Sequence, residues 1–357
     1  MQGFRVVCTA CALVVAVGWP RAQQAPAAVP WRFVVSGDSR NCGDVVMPAI
    51  ARTAIDAQAA FFWHLGDLRW ITDVDNDIQS QPAQLAKKMS WSKYLSIAWD
   101  DFIDQQLKPF GSMPFFLGIG NHDVIRPVTR EDFVKKFANW LDTPVLREQR
   151  LRDNPKDTKP HTYYRWLDRG VSFYFLDNAS LEQFDFAQLR WFERALASDS
   201  ADPGVLAIVV GMHKPLPDGF SGLHSMSESE TGIESGRRVY ADLLKAQNAA
   251  HKLVYVLASH QHMYMADAHA TPYWKQHGGV LPGWVVGTAG APRYPLPVPS
   301  PPVAKTNVYG ALVATVSPAG EISFEWHEIT EPDVPAAVLQ TYGQAFVHWC
   351  FAGNRVQ

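Results

Sequence analysis

Five short stretches of this chain end in residues of types that can bind divalent metals. They are "VVSGDSR" with Asp38, "FFWHLGD" with Asp67, "FFLGIGNHD" with Asn121, His122 and Asp123, "AIVVGMH" with His213, and "VYVLASHQH" with His260 and His262. Carboxylate oxygen, amide oxygen and imidazole nitrogen together suit zinc, manganese or iron better than magnesium, which prefers all-oxygen surroundings. Arg40 is out of keeping with the set. It stands two residues after Asp38, where a further His ligand would be useful. It is read either as a clamp for a bound phosphate, which a guanidinium grips through two oxygens, or as a partner for a surface carboxylate.

The elements that must position these residues are legible as apolar runs too short for globular helices. Each is rich in Val, Phe, Trp or Tyr and ends in a small or polar residue, the pattern of strands buried on both faces. In α/β proteins ligands bind beyond the carboxyl ends of strands, so one polar strand end is expected. Five, all carrying Asp, Asn or His, exceed what loop chemistry explains. Helix-like segments lie between the runs at 44–57, 84–106, 184–198 and 236–250. Two hairpins are predicted, turning at Asp168-Arg169-Gly170 and at Pro318-Ala319-Gly320. The proline-rich stretch 291–304 reads as an extended surface loop. Strands alternating with helices and then pairing antiparallel predict a mixed α/β layer structure.

The 357 residues, 47% hydrophobic and 19% charged, describe an ordinary globular protein with a sizeable core. The formal net charge of −3 offers no general attraction to nucleic acid or to an anionic membrane. Residues 1–22 have one positive charge, Arg5, ahead of an apolar run from Val6 to Val17, which small residues follow. That is the pattern of a secretory signal peptide, and the run is too short to span a bilayer core of roughly 30 Å. Residues 23–30 then form a proline-containing leader, 31–330 the domain, and 331–357 a C-terminal extension. Export to the periplasm or the exterior leaves Cys42 and Cys350, which either pair or remain as buried thiols.

The ordered set "GDSR", "GDL", "GNHD", "GMH" and "SHQH" resembles the five motifs of the calcineurin-like metallophosphoesterases, the superfamily that includes purple acid phosphatases. The resemblance covers residues 32 to 330. It implies a four-layer αββα sandwich, with two mixed β-sheets flanked by helices. It also implies a centre of two divalent or mixed-valence ions of manganese, iron or zinc. By resemblance Asp67 bridges both ions, Asn121, His213 and His260 complete one position, and Asp38 and His262 belong to the other. The family's His in that second position is Arg40 here, and the Tyr of purple acid phosphatases is Trp70, which has no lone pair to give. The ion near Asp38 is therefore expected to be the weaker.

The chemistry implied is attack on a phosphate ester by metal-activated hydroxide. His122 would act as general acid, Asp123 would orient its imidazole, and Arg40 would contact the phosphoryl oxygens. A small monoester or nucleotide is favoured over a diester, with no nucleic acid and, after signal cleavage, no membrane as partner. The alternative is a non-catalytic member that binds a phosphorylated ligand or a single metal. His64 is read as strand packing, and "DVDND" (73–77) as a solvated acidic loop.

Overall fold

The computed structural model describes residues 29–179, 183–220, 222–298 and 301–356. The signal-like segment and nearly all of the leader lie outside them. Five strands form one sheet: β1 (Trp31–Ser36), β2 (Phe62–His64), β3 (Phe115–Leu117), and two that return late in the chain. Seven form the other: β4 (Tyr164–Asp168), β5 (Val171–Leu176), β6 (Ala207–Met212), β7 (Leu253–Ala258), β8 (Tyr264–Ala266), β9 (Gly283–Val286) and β10 (Ala304–Lys305). The late pair in the first sheet is β11 (Tyr309–Val316) and β12 (Ile322–Ile329). The orders are β12-β11-β1-β2-β3 and β10-β8-β9-β7-β6-β5-β4. β1, β2 and β3 run parallel, as do β5, β6, β7 and β9, with antiparallel strands at the margins. Both sheets are mixed.

The continuous apolar runs have a simple explanation. In β5, Val171, Phe173 and Phe175 join the core between the sheets, while Tyr174 and Leu176 face outward into a second core. β6 divides in the same way, with Ala207 and Val209 inward and Ile208, Val210 and Met212 outward. Successive side chains point to opposite faces, so a strand covered on both sides must be apolar throughout. Helices Phe186–Ala201 and Glu230–Asn248 cover the outer face of the second sheet. Helix Gly43–Asp56 packs against the first sheet. Between the sheets the fit is aromatic: Phe33 meets Phe173 edge-on at 5.3 Å, and Trp166 stacks on Phe116 at 3.8 Å between centroids.

Two local expectations are corrected. The 84–106 segment is helical only from Trp91, where the Ser90 hydroxyl accepts from Lys93 N–H and starts the helix. The stretch 73–77 is not a solvated loop. Asp75 and Asp77 are fully buried, and with Asp44 and Asp101 they surround the buried Arg69. The pattern looked solvated because the countercharge, Arg69, lies outside the motif. The C-terminal residues fold as helices Ala336–Tyr342 and Gln344–Ala352 and pack against Cys42 and Val45. A disulfide joins Cys42 to Cys350. Among the described residues no helix is long and apolar enough to cross a membrane.

Candidate metal centre

The parallel strands of both sheets deliver their carboxyl ends to one edge of the sandwich. Asp38 follows β1, Asp67 follows β2, Asn121 and His122 follow β3, His213 follows β6, and His260 and His262 follow β7. Three of these residues sit at positive φ: Asp38 at 59°, Asp67 at 58° and His260 at 65°. This region is uncommon for residues with a Cβ and marks tightly determined turns. Backbone bonds lock the turns together, with Asp38 N–H donating to Gly66 O at 2.9 Å and Ser39 N–H to Asp67 O at 3.0 Å. Gly66 (φ 99°) and Gly120 allow the close approach. A Cβ on Gly66 would lie 2.5 Å from Gly120 N, and one on Gly120 would lie 2.2 Å from Asp67 Oδ1.

One ligand atom from each of Asp38, Asp67, His213 and His260 falls within 4.8 Å of the others, and all four residues are buried. His213 Nδ1 lies 3.0 Å from the Leu65 carbonyl oxygen, which can only accept. In the neutral ring the proton is therefore on Nδ1, and the Nε2 lone pair faces inward. There it meets Asn121 Oδ1 at 2.9 Å, His260 Nδ1 at 3.0 Å and Asp67 Oδ1 at 3.3 Å. His262 is set the same way. Its Nδ1 donates to Pro292 O at 2.5 Å, and its Nε2 faces Asp38 Oδ1 at 3.2 Å.

Burial pushes the imidazoles of His260 and His262 well below the usual histidine range, toward the neutral form that binds metal. Burial likewise raises Asp38 to about 6, with His213 and Arg40 opposing. Asp67 lies well below the usual carboxylate range: burial opposes this, but the attraction of His213, His122 and Arg40 outweighs it. Asp38 Oδ1 and Asp67 Oδ2 are buried without a hydrogen-bond partner. Unpaired buried carboxylate oxygens are costly unless a cation satisfies them. The donor set and these two orphan oxygens fit a transition-metal ion.

His122 N–H donates to Asp67 Oδ1 at 2.9 Å, and its ring Nδ1 lies 2.8 Å from Trp70 O. The orienting partner is thus a carbonyl, and the role expected for Asp123 is corrected. Asp123 accepts from Gly120 N–H, Asp67 N–H and Leu68 N–H at 2.8, 2.9 and 3.1 Å. It braces two motif loops through these three backbone N–H groups. His64 is likewise a strut, with Nε2 3.0 Å from Ser39 Oγ and Nδ1 accepting from Gly66 N–H at 3.2 Å. Arg40 turns inward and is 5% exposed. Its Nε is 3.7 Å from Asp67 Oδ2, its Nη2 3.4 Å from His262 Nε2, and its guanidinium carbon 5.3 Å above the Trp70 ring.

Sequence reasoning missed several neighbours. Ser259 Oγ supports both His213 Nδ1 and Leu65 O. Tyr294, inside the proline-rich loop, stacks on His262 at 4.0 Å between centroids. Its aromatic ring among prolines was the available signal. A cleft of about 480 Å³ opens over Arg40, Trp70 and His122, and its far wall is C-terminal: Trp349, Asn354 and Arg355. Nothing in the sequence links that wall to the motifs. A larger concavity, about 900 Å³ beside Tyr163 and Trp191, contains none of the candidate ligands; Arg165 in its lining is paired with Asp153 and Asp199.

Comparison with known proteins agrees with this geometry. Among solved structures, a purple acid phosphatase from yellow lupin (Lupinus luteus) seeds superposes with a TM-score of 0.54 at 16% identity, over 85% of this chain and 52% of the lupin chain. PhoD superposes with a TM-score of 0.54 at 15% identity, over 86% of this chain and 70% of its own. At such identities the likeness is one of fold, and this chain spans about half the length of the lupin protein. No curated protein sequence matches the chain. The family described as calcineurin-like phosphoesterase matches residues 32–264, a span that holds every strand-end residue named above. By that match, over more than half its length, the chain belongs to the calcineurin-like phosphoesterase family.

Proposed function

We propose that this protein is an exported, metal-dependent phosphoesterase acting on a small phosphate ester, with a monoester favoured. The observation that carries the reading is the buried cluster of Asp38, Asp67, His213 and His260, whose ligand atoms lie within 4.8 Å of one another. Asp67, Asn121, His213 and His260 would hold the ion. When bound, such an ion supplies Lewis acidity toward a phosphoryl oxygen and makes hydroxide available near neutral pH.

The chain's own residues supply the rest. Arg40 presents a fixed cation toward the mouth of the cleft, where phosphoryl oxygens would lie. His122, held by Trp70 O and by its own N–H on Asp67, turns its Nε2 toward the site, 3.9 Å from Asp67 Oδ2. From there it would give a proton to the leaving oxygen. The leaving group would rest against Trp70, Tyr294 and Trp349, with Arg355 at the rim. Aromatic walls with an arginine suit a planar or anionic leaving group. Export is supported by the signal-like residues 1–22 and by the Cys42–Cys350 disulfide, a bond that persists in oxidising compartments.

The test is turnover of a chromogenic monoester and a diester by chelator-stripped protein, then after adding manganese, zinc or iron. Activity is expected only with metal and faster on the monoester. A folded protein inactive with every metal would replace this reading with the non-catalytic, ligand-binding one.

A further inference from the structure

Beside the first group of ligands lies a second, made of Asp38 Oδ1, Asp67 Oδ2 and His262 Nε2. It already has a cation against it. Arg40 Nη2 is 3.4 Å from His262 Nε2, and Arg40 Nε is 3.7 Å from Asp67 Oδ2. The Nε is itself buried and has no acceptor, so this donor and the unpartnered Asp67 Oδ2 face one another just beyond hydrogen-bond reach. We propose that the Arg40 guanidinium is the second cation of this centre, and that the chain binds one metal ion where the motif pattern implies two. This inference rests on the metal-dependent reading above. It turns the expected second ion into a covalently tethered one.

Two independent features support it. The first is anchorage. Ser39 N–H is held by Asp67 O at 3.0 Å, and Asn41 N–H by Asp75 Oδ1 at 2.6 Å. Asn41 Nδ2 donates to Asn354 Oδ1 at 2.6 Å, and Cys42 is bonded to Cys350. The backbone on both sides of Arg40 is therefore fixed, and the Trp70 ring lies under the guanidinium. The side chain has little room to withdraw for an incoming ion. The acidic stretch 73–77 finds its purpose here, because Asp75 clamps the Arg40 turn while Tyr94 O–H donates to its other oxygen at 2.6 Å.

The second is charge. Asp38 and Asp67 contribute two negative charges, and one divalent ion with Arg40 leaves the centre at net +1, matched to an incoming phosphate. A second divalent ion would have to sit against a guanidinium that cannot lose its proton. Three donors, two of them facing a fixed positive charge, are a poor site for a dication.

Metal content decides the matter without reference to activity. The full chain is stripped with chelator, equilibrated with manganese, and assayed for bound ion and for its paramagnetic resonance spectrum, beside Arg40→His and Arg40→Gln. Cooperative thermal unfolding of each stripped variant serves as the folding control. Wild type is expected to bind one ion per chain with the signal of an isolated Mn(II). Arg40→His is expected to bind two, with an exchange-coupled signal. Arg40→Gln, which keeps much of the shape without the charge, should take the second ion more weakly. Two ions on wild type would overturn the inference and leave the phosphoesterase reading standing. One ion on both wild type and Arg40→His would also overturn it, since the guanidinium would not be what excludes the second. No ion on any folded form would remove the metal-dependent reading itself.

Discussion

At the scale of residues, the side chains proposed to face substrate are separable from those that brace them. His122 is part-buried at the mouth with its Nδ1 on a carbonyl, so in the proposed reaction its Nε2 is the atom that would meet the leaving group. Replacing it with Ala should lower kcat by about 10²–10⁴ for an alkyl phosphate. The loss should shrink for a nitrophenyl ester, whose leaving group needs no proton; an equal loss on both substrates would argue against the acid role. Asp123 should behave differently. Its carboxylate satisfies three buried N–H groups, so Asp123→Ala should act first on stability, by at least about 3 kcal/mol in denaturant unfolding. The identities of the strand-end residues were legible because each follows an apolar run and each type has a metal-binding atom. The direction of Arg40 and the load carried by Asp123 were not. Both depend on which backbone groups other loops bring alongside, and a single sequence does not carry that.

At the scale of elements, apolar runs announced the strands because both faces of each sheet are covered. The segments 44–57 and 184–198 were placed within three residues, and helix Glu230–Asn248 begins six residues before its expected start. Ser90 caps a helix that periodicity alone began earlier, and the helices Arg130–Lys136 and Pro144–Asp153 were not foreseen. The loop after β8 carries a consequence for stability. His269 is buried beside Tyr240, with neither ring nitrogen bonded to a side chain, and burial lowers it from the usual range to about 4. The unfolded chain takes up this proton near pH 6.5, whereas the folded one resists until about pH 4. Stability is therefore full above the unfolded value and is lost as pH falls between the two. Acidifying from pH 7 to pH 5 should cost about 2 kcal/mol through this group. Unfolding curves of His269→Gln against wild type should show a correspondingly flatter acid dependence, whatever the absolute stability of the variant. Parallel slopes would mean that His269 does not stay neutral.

At the scale of the molecule, the turn after β1 and the C-terminal helix meet at the site. The disulfide ties Cys42, two residues past Arg40, to the helix that brings Trp349 and Arg355 to the cleft. A cross-link spanning 308 residues constrains the unfolded chain strongly, so Cys350→Ser should destabilise by about 2–4 kcal/mol. Because the C-terminal wall lines the side of the cleft where the leaving group is proposed to rest, the same variant should raise KM more than it lowers kcat. A kcat loss with KM unchanged would show that the wall holds the catalytic turn rather than substrate. Sequence left this pairing open, since two cysteines so far apart carry no sign of proximity.

The proposed function requires that the strand-end cluster hold a metal ion and hydrolyse phosphate esters with it. The most direct test measures metal content and turnover on the same samples of wild type and Asp67→Asn, both saturated with manganese. Asp67 is the carboxylate closest to both groups of ligands, with Oδ1 toward His213 and Oδ2 toward Arg40. The expected result is a folded Asp67→Asn protein that has lost the bound ion and turnover together, the latter by about 10³-fold or more. A variant that keeps wild-type turnover, or wild-type protein that turns over with no metal bound, would contradict the account.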